Sequence, residues 1–513
     1  MADGDLSRRR FLRRAALVGA GIAVPLTSGY VGYRLPRDDT ASAPTNDELT
    51  TPPGVHHFRS RPDLRPPKLT ITETDKPPAK PEYLFLSPKA YQDNSPSQPG
   101  FMIADRRGRP IWFLPREGHD LVPMDFKRQT YQGEPVLTWW QGRVLAGYGE
   151  GVGVIYDSSY QQVAEVRMGN GKKADLHEFL ITEDDTALLI GYHATQADLS
   201  SIDGPGDGWV YAGIVQEVDI ASGEVLFEWD SLDHVAVEET YHELGDRGTE
   251  EAPFDYIHLN SIEPTADGGL VLSARNTWAL YKISRSTGEV EWRLNGRKSD
   301  FDVEELAQFS WQHDARLHSG DRIALFDNSS SPPQGPHSRG LVLKVDYQRR
   351  KVSVDQEFVH PARLRADNQG SMQLLEHGGA LVGWGSQPYT SEFDSSGEIV
   401  LDSQFPEPDQ SYRARTFDWT GRPAEKPALA VGPNKAGGRT IYASWNGSTE
   451  VEQWRVLAGT SRSSLKPVAL ARRSGFETAV VVNNDGPYFA VIALDDDGKE
   501  LAQSDPIKEG EEG

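Results

Sequence analysis

The stretch HLNSIEPTADGGLVLSARNTWALYKISRSTGEVEW, His258–Trp292, contains the two phrases that decide the fold. The first phrase is a polar residue, a short apolar run, a turn and a second apolar run, as in HLNSIEPTADGGLVLSARN. The second places a tight polar turn before a strand that ends in an aromatic residue, as in SRSTGEVEW. Gly288 and Trp292 are separated by an even offset, which puts them on the same side of a strand. Both phrases therefore predict β-hairpins.

Both phrases recur along the chain. Further copies of the second are DRRGRPIW at 105–112, DIASGEVLFEW at 219–229 and DSSGEIVL at 394–401. Further copies of the first begin at His177 (HEFLITEDDTALLIGY), His313 (HDARLHSGDRIALFDN) and Gln373 (QLLEHGGALVGWG). Hairpin pairs at intervals of roughly 50 to 80 residues predict four-stranded blades. We therefore expect an all-β chain with a six-bladed β-propeller at residues 81–423, and a β-sandwich built from hairpins is the alternative.

The residues after 423 follow another pattern. The segments YASWNGSTEVEQWRVLAG, ETAVVVNN and YFAVIALDDDGKELAQSDPI alternate between apolar and polar positions, as half-buried strands do. They predict a small immunoglobulin-like or fibronectin-like β-sandwich at residues 425–507.

The N-terminus carries a candidate export motif. SRRRFLR at residues 7–13 resembles the twin-arginine motif, and a moderately apolar run follows at 15–26, too short for an ordinary membrane span. We therefore predict a twin-arginine signal or membrane anchor at 1–37, recognition by the twin-arginine export machinery, and an extracellular or cell-envelope location. A short basic amphipathic helix is the alternative. A flexible Pro-rich tether is expected at 38–80.

Composition excludes some functions. The formal net charge is -23 over 513 residues, and such an acidic surface repels phosphate backbones, which argues against nucleic-acid binding. An anionic small molecule is not excluded, because a local cationic pocket can override a distant field. The chain contains no cysteine, so disulfides and thiolate metal sites are impossible.

Three histidines share one position in the repeated phrase. His177, His258 and His313 each open a copy, and the first strand of each propeller blade lines the central channel, so the three should meet at one mouth of it. A lone histidine usually has a structural role, but three in register indicate a site. Asn260 and Arg275, in the His258 phrase, supply donors that suit a bound anion.

A metal site is the less favoured reading of the same residues. Imidazoles can bind a metal, but no carboxylate repeats at ligand-like spacing, so we expect neither a metal nor a cofactor. Asp175, Asp255 and Asp314 lie near the histidines in sequence and could orient the imidazole rings.

A family resemblance sharpens this hypothesis. The runs HLNSIEPTADGGLVLSARNTWALYKISRSTGEVEWRLNGRKSDF and FSWQHDARLHSGDRIALFDN resemble the arylsulfotransferase (arylsulfate sulfotransferase) family, in its actinobacterial and fungal branch. The resemblance implies a six-bladed propeller that moves a sulfuryl group from an aryl sulfate to a phenolic acceptor through a sulfohistidine. It implies no nucleotide sulfate donor.

The resemblance also implies roles for individual residues. His313 of WQHDAR takes the place of the family's nucleophilic histidine, and Arg275 that of its sulfate-binding arginine. His258 and Asn260 match the His-x-Asn pair, His177 is a further pocket histidine, and Asp314 is grouped with Asn260 in substrate binding. Histidine suits the nucleophilic role because a neutral imidazole reacts near pH 7 without prior activation.

Two other functions stay open at this point. One is an exported, non-catalytic propeller that binds envelope glycans or polymer, in which the histidines are structural. The other is a quinone- or metal-dependent oxidoreductase on the same fold. Fold alone cannot choose among them, and the shared register of the histidines favours the transferase.

Overall fold

The computed structural model describes residues 54–73, 82–90, 95–118, 121–145, 147–434, 437–483 and 486–511. In this part of the chain there are 34 strands and four helical turns of three residues each, and none of these turns is long enough to cross a membrane. The prediction of an all-β chain is confirmed. The predicted signal or anchor at 1–37 lies outside the described residues.

The bounds of the strands follow in chain order. The first group is β1 Thr70–Glu73, β2 Tyr83–Lys89, β3 Gly100–Ala104, β4 Pro110–Pro115, β5 Val122–Tyr131, β6 Glu134–Val144, β7 Gly149–Tyr156, β8 Gln162–Val166, β9 Ala174–Ile181, β10 Thr186–Ala197, β11 Gly208–Asp219 and β12 Val225–Asp230. The second is β13 Leu259–Pro264, β14 Leu270–Ala274, β15 Ala279–Ile283, β16 Val290–Leu294, β17 Asp302–Val303, β18 His313–His318, β19 Arg322–Asp327, β20 Arg339–Asp346, β21 Lys351–Phe358, β22 Ser371–Leu374, β23 Ala380–Gly383, β24 Tyr389–Phe393 and β25 Ile399–Gln404. The third is β26 Gln410–Phe417, β27 Ala428–Pro433, β28 Arg439–Ser444, β29 Gln453–Gly459, β30 Lys466–Arg472, β31 Glu477–Val482, β32 Tyr488–Leu494, β33 Glu500–Gln503 and β34 Ile507–Lys508. The 3₁₀ turns are Ser200–Ile202, Ser231–Asp233, Val237–Glu239 and Glu305–Ala307.

An antiparallel unit of four strands recurs along the chain up to β26. The units are β26-β2-β3-β4, β5–β8, β9–β12, β13–β16, β18–β21 and β22–β25. The second and third units are joined into one sheet by a single pairing of Gly151 with Ala174. Two short strands extend other units, since β17 pairs in parallel with β21 and β1 pairs with β25.

The repeated Gly phrase forms the turn before the fourth strand of four units. The turn glycines are Gly108, Gly223, Gly288 and Gly397, with φ of 75°, 75°, 77° and 83°. Glycine adopts this left-handed conformation without a side-chain clash. The aromatic residues that follow are buried, namely Trp112, Trp229 and Trp292. The hairpins predicted from this phrase are confirmed.

The six units pack in succession, and the last packs against the first. A buried apolar cluster lies between each consecutive pair, and the cluster between the last and first units contains Leu381 and Leu86. β26 pairs with β2, with Ala414 opposite Leu86. The first strands β26, β5, β9, β13, β18 and β22 are neighbours in that order and close on themselves. They therefore surround a common axis.

The residues after β26 form two further antiparallel sheets on one core. One sheet is β27-β28-β31, the other contains β29, β30, β32, β33 and β34, and Ile441 and Trp454 belong to the apolar cluster that they share. Asn446 attaches this part to edge strand β4. Its Oδ1 accepts from the Phe113 N–H and its Nδ2 donates to the Phe113 carbonyl, each at 2.9 Å. The side chain thus satisfies backbone groups that an open sheet edge would expose.

The tether predicted at 38–80 is wrong for residues 54–73. Leu64 and Leu69 are buried, and β1 pairs with β25 over four residues. The Phe58 ring lies 4.2 Å from that of Phe476 in the C-terminal sheets. A Pro-rich composition indicates an extended backbone, but a few spaced apolar side chains suffice to bury such a segment against existing sheets. The rest of the predicted tether lies outside the described residues.

Candidate active site

Three histidines lie together where the first strands of consecutive units begin. His177 is in β9, His258 directly precedes β13, and His313 begins β18. The ring centroids of His177 and His258 are 4.8 Å apart, and those of His177 and His313 are 6.3 Å apart. The predicted convergence is confirmed, because equivalent positions on successive units meet at one level of the axis.

Each histidine has its Nδ1 atom held by an acceptor. Asp175 Oδ1 lies 2.5 Å from Nδ1 of His177, and Asp255 Oδ2 lies 2.5 Å from Nδ1 of His258. The expectation that these two aspartates orient the rings is confirmed. Nδ1 of His313 instead lies 2.7 Å from Oδ1 of Asn328. Nε2 is therefore the nitrogen of each ring that is available to react or to bind a ligand.

Asn328 determines the tautomer of His313. Its Nδ2 donates to the carbonyls of Ala366 and Gln369, both at 3.0 Å, so its Oδ1 is the atom that faces the imidazole. An amide oxygen only accepts, so Nδ1 of His313 must carry the hydrogen. In the neutral ring, Nε2 then bears the lone pair, as a nucleophile requires.

The surroundings keep His313 neutral. Burial, followed by the charges of Arg275 and His177, lowers the pKa of His313 well below its ordinary value of 6.5. Burial also lowers the pKa of His177. For Asp255, burial acts against ionisation, but the facing His258 outweighs it and lowers the pKa of the carboxyl. The cluster therefore combines a neutral imidazole at His313 with an ionised carboxylate behind His258.

Arg275 supplies positive charge beside the histidines. Its Nη2 donates to the carbonyl of Asp367 at 3.1 Å, its Nη1 donates to Oδ1 of Asn276 at 3.1 Å, and its guanidinium carbon lies 4.8 Å from the Trp311 ring centre. Burial lowers the pKa of Arg275 to about 10, so the group remains charged at neutral pH. The stacked guanidinium is a fixed cation that an anionic substrate would meet.

Tyrosine rings surround the side on which His258 lies. The Tyr192 ring centroid is 6.0 Å from that of His258, and the Tyr148 ring stands 5.8 Å from Tyr192 and 4.6 Å from Tyr211. His258 is the most exposed of the three histidines, at 9% against 3% for His177 and 2% for His313. The cluster is therefore least buried at His258, where these aromatic rings lie.

The backbone at the site adopts uncommon conformations. His258, Trp311 and Asp314 have φ of 52°, 57° and 59°, in the left-handed region that residues with side chains rarely occupy. Such conformations cost about 1–3 kcal/mol each and persist where the surrounding structure requires them, often at functional sites.

A comparison with protein families agrees with this geometry. The family model described as arylsulfotransferase (ASST) matches residues 127–406, more than half of the chain. The chain belongs to the arylsulfotransferase family. The matched region of this arylsulfotransferase contains all three histidines and Arg275.

Similarity to proteins outside the family is weak. No curated protein matches the chain. A Bacteroides caccae protein of unknown function shares 12% identity at a TM-score of 0.38, over 66% of this chain and 99% of its own. A Staphylococcus aureus virginiamycin B lyase, solved with quinupristin, shares 11% identity at a TM-score of 0.32, over 74% of this chain and 97% of its own. Similarity at this level supports no conclusion about the arylsulfotransferase site.

Asp314 does not have the predicted role. It neither orients His313 nor faces the histidines, because its Oδ1 accepts from Arg415 at 2.6 Å and from Arg316 at 2.9 Å. Its Oδ2 accepts from the Met372 N–H at 3.0 Å. Burial raises the pKa of Asp314, but the arginines outweigh it and lower this pKa below its usual range. Asp314 is a structural anion.

The side chain of Asn260 also hydrogen-bonds within the protein. It is fully buried, and its Nδ2 donates to the carbonyl of Gln312 at 2.6 Å, so it links two neighbouring units. Its Oδ1 has no partner, but an oxygen acceptor cannot stabilise sulfate oxygens. The geometry therefore gives no support for a substrate-binding role of Asn260.

A buried ionic network fills the axis next to the histidines. Arg413 of β26 donates to Asp125 at 2.6 Å and to Glu178 at 3.2 Å, and also to the Asn260 carbonyl at 2.8 Å. Lys127 donates to Glu178 at 2.6 Å. Because β26 is not a neighbour of β9 or β13, the contacts of Arg413 with Glu178 and Asn260 cross the centre of the ring of first strands.

A cavity of about 700 Å³ opens at the other end of the same strands. Its lining includes Leu180 of β9, His318 of β18, Leu374 of β22 and Phe417 of β26, but none of the three clustered histidines. Lys127 of the ionic network and Arg415, which pairs with Asp314, also line it. Of the two ends, as far as the described residues show, the histidine end is the one that combines a neutral imidazole with carboxylate-backed histidines.

Sequence reasoning missed Asn328 and the tyrosines. Asn328 lies two residues beyond Phe326, which pairs with His313 in the β18–β19 hairpin. That hairpin was predicted, so pairing outward from its turn could have identified Asn328 as the neighbour of His313. Tyr148 and Tyr211 belong to different units and carry no shared sequence pattern.

Proposed function

We propose that the protein transfers a sulfuryl group from an aryl sulfate to a phenolic acceptor through a sulfohistidine at His313. The observation that carries this proposal is the hydrogen bond between Asn328 and Nδ1 of His313. It leaves a lone pair on Nε2 of a buried, neutral ring. Membership of the arylsulfotransferase family supports sulfuryl transfer in general.

The reaction has two half-reactions. In the first, the Nε2 lone pair of His313 forms a bond to sulfur while the bond between sulfur and the phenolic oxygen breaks. That oxygen keeps the bonding electrons and takes a proton, so a phenol leaves. In the second, the acceptor phenol gives up its proton and its oxygen attacks sulfur, and the N–S electrons return to Nε2. The acceptor's proton replaces the one that the first phenol removed.

Two neighbouring residues assist these steps. Arg275 places a guanidinium beside the sulfuryl oxygens and stabilises their charge. His258, held at Nδ1 by Asp255 and more exposed than the other rings, carries the proton to and from the phenolic oxygen. His177 lies against both other histidine rings and positions them.

A chromogenic aryl sulfate tests this function. Without an acceptor phenol the full chain should release only a single equivalent of phenol, because His313 then stays sulfated. With an acceptor, release should continue and follow ping-pong kinetics, because the first product leaves before the acceptor enters. His313→Asn should abolish turnover. His360→Asn is the matched control, since His360 is also buried and pairs with Asp402 at 3.2 Å outside the cluster. It should retain activity.

The competing functions predict other outcomes. A non-catalytic propeller that binds envelope glycans would release no phenol even as the unaltered protein. Turnover by His313→Asn at the rate of the His360→Asn control, with a normal circular dichroism spectrum, would refute the nucleophile.

We also propose the architecture and location that fit this function. Six four-stranded units closed by β26 support a six-bladed propeller at 81–423, and the two C-terminal sheets support an immunoglobulin-like sandwich at 425–507. The twin-arginine motif supports export to the cell surface or beyond, where a donor other than a nucleotide is needed. Replacement of Arg8 and Arg9 by Lys, followed by cell fractionation, tests export.

A further inference from the structure

The same three histidines also have the geometry of a metal site. One ring nitrogen from each of His177, His258 and His313 lies within 4.8 Å of the other two. Because each Nδ1 already faces an acceptor, the free Nε2 atoms are the available ligands. Three imidazole nitrogens are a ligand set that Zn²⁺ binds well. Zn–N bonds of about 2.0–2.1 Å require nitrogens roughly 3.4 Å apart, so the separations, which reach 4.8 Å, would have to shrink by up to about 1.4 Å.

The carboxylates behind the histidine rings also favour a metal site. Metal-binding histidines commonly donate their second ring N–H to a carboxylate, which fixes the ring and makes the ligating nitrogen more basic. Asp175 and Asp255 hold His177 and His258 in this way, each at 2.5 Å. Arg275 opposes a cation at this place, and the carboxylates of Asp175 and Asp255 counteract it.

We propose that this histidine cluster binds one Zn²⁺ ion per chain and that the bound ion inhibits the protein. The inhibition rests on the proposed sulfuryl transfer, because Nε2 of His313 cannot bind zinc and attack sulfur at the same time. The ion therefore competes with the aryl sulfate and takes no part in turnover. Mg²⁺ and Ca²⁺ should not bind here, since they prefer oxygen ligands.

Zinc binding can be measured without any substrate. Chelator-treated full chain, titrated with ZnCl₂ in a calorimeter and by equilibrium dialysis, should bind one ion, with no effect of excess Mg²⁺. Asp255→Asn keeps all three ligands and should weaken zinc affinity about 10–100-fold. His258→Gln removes the least buried ligand and should weaken it at least as much. His360→Gln, outside the cluster, should bind zinc as the unaltered protein does.

The outcomes separate the two claims. Absence of stoichiometric zinc binding, or equal affinity in Asp255→Asn, His258→Gln and the His360→Gln control, overturns the metal site. If His258→Gln fails to fold, Asp255→Asn and the absorption spectrum of bound Co²⁺, which reports tetrahedral coordination, still test the site. Zinc should raise KM for the aryl sulfate at unchanged kcat, and a chelator should reverse this. Binding without such inhibition overturns the competition, whereas absence of turnover in metal-free protein refutes only the proposed function.

Discussion

Asn328 has more influence on the chemistry than its position outside the histidine cluster suggests. Its Oδ1 lies 2.7 Å from Nδ1 of His313, and this one contact determines which nitrogen of the ring keeps its lone pair. A carboxylate at this position would hold the same tautomer but would also stabilise the imidazolium. An asparagine is therefore the residue type that orients the ring and leaves its pKa low.

We predict that Asn328→Asp moves the acidic limb of the pH–rate profile upward. The new carboxylate raises the pKa of His313, so the ring is protonated and unreactive at pH values where the unaltered protein is active. The limb should shift by about 1–3 pH units, as is usual when a charge faces a titrating group. The measurement is kcat/KM for a chromogenic aryl sulfate between pH 4 and 9.

The control for this prediction is Asn328→Leu. It also loses the hydrogen bonds to Ala366 and Gln369 but introduces no charge. Its activity should fall at all pH values without an upward shift of the acidic limb. An equal upward shift in both variants would show that lost packing, and not charge, moves the limb.

Arg413 links the first strands of several units around the common axis. This one side chain, 1% exposed, extends from β26 to Asp125 of β5, Glu178 of β9 and the Asn260 carbonyl of β13. Buried ion pairs of this kind add little stability over a well-packed apolar core. Removal of one partner is costly, however, because the remaining charges stay buried without compensation.

Arg413→Met should therefore lower the free energy of unfolding by about 3–5 kcal/mol. Arg422→Met is the comparison, since Arg422 also pairs with a carboxylate, that of Glu450 at 2.7 Å, but its side chain is 68% exposed. Its effect on stability should be far smaller, because water already solvates both charges of this exposed pair. Urea denaturation at pH 7 measures both values. A loss below about 1 kcal/mol for Arg413→Met would mean that water or other cations compensate the network.

The first strands also show which features of the fold and the site could be predicted from the sequence. The hairpins and the convergence of His177 and His313 were predictable, because both follow from local repeats and the two-residue period of strands. The place of Asp314 was not predictable from its closeness to His313 in sequence, because neighbouring side chains on a strand point apart. Arg413 and Asp125 lie outside the repeated phrases, so no local pattern links them across the axis.

At the scale of the whole molecule, buried titratable groups make stability depend on pH. Burial lowers the folded-state pKa of His177 and His313 below the ordinary 6.5. For Glu178 and Asp314, burial raises the pKa, but neighbouring cations outweigh it and lower both values. A group with a lowered pKa binds protons more readily in the unfolded chain. Its stabilisation is therefore present above the unfolded pKa and is lost as pH falls.

We predict that the free energy of unfolding decreases in two steps on acidification. The histidines cause the first, below about pH 6.5, and the carboxylates the second, below about pH 4.5. The combined variant His177→Asn and His313→Asn should make the first step shallower and leave the second unchanged. Some of the first step should persist, since the pKa of His242 and of His318 is also lowered, mainly by burial. Urea titrations at a series of pH values measure this, and an unchanged first step would contradict it.

The pairing of β26 with β2 has a consequence for how the protein is made. Roughly 330 residues separate Leu86 from its partner Ala414, so at about 5–20 residues per second the ribosome needs about 15–65 s to supply the missing strand. Until β26 is synthesised, one edge of β2 exposes unpaired backbone N–H and C=O groups that another chain could pair with. Pro88, near the end of the strand, lacks an N–H group and interrupts this row of groups. Arg413 emerges on that same late strand. The nascent chain therefore contains all three histidines before it contains Arg413, the arginine that links the first strands.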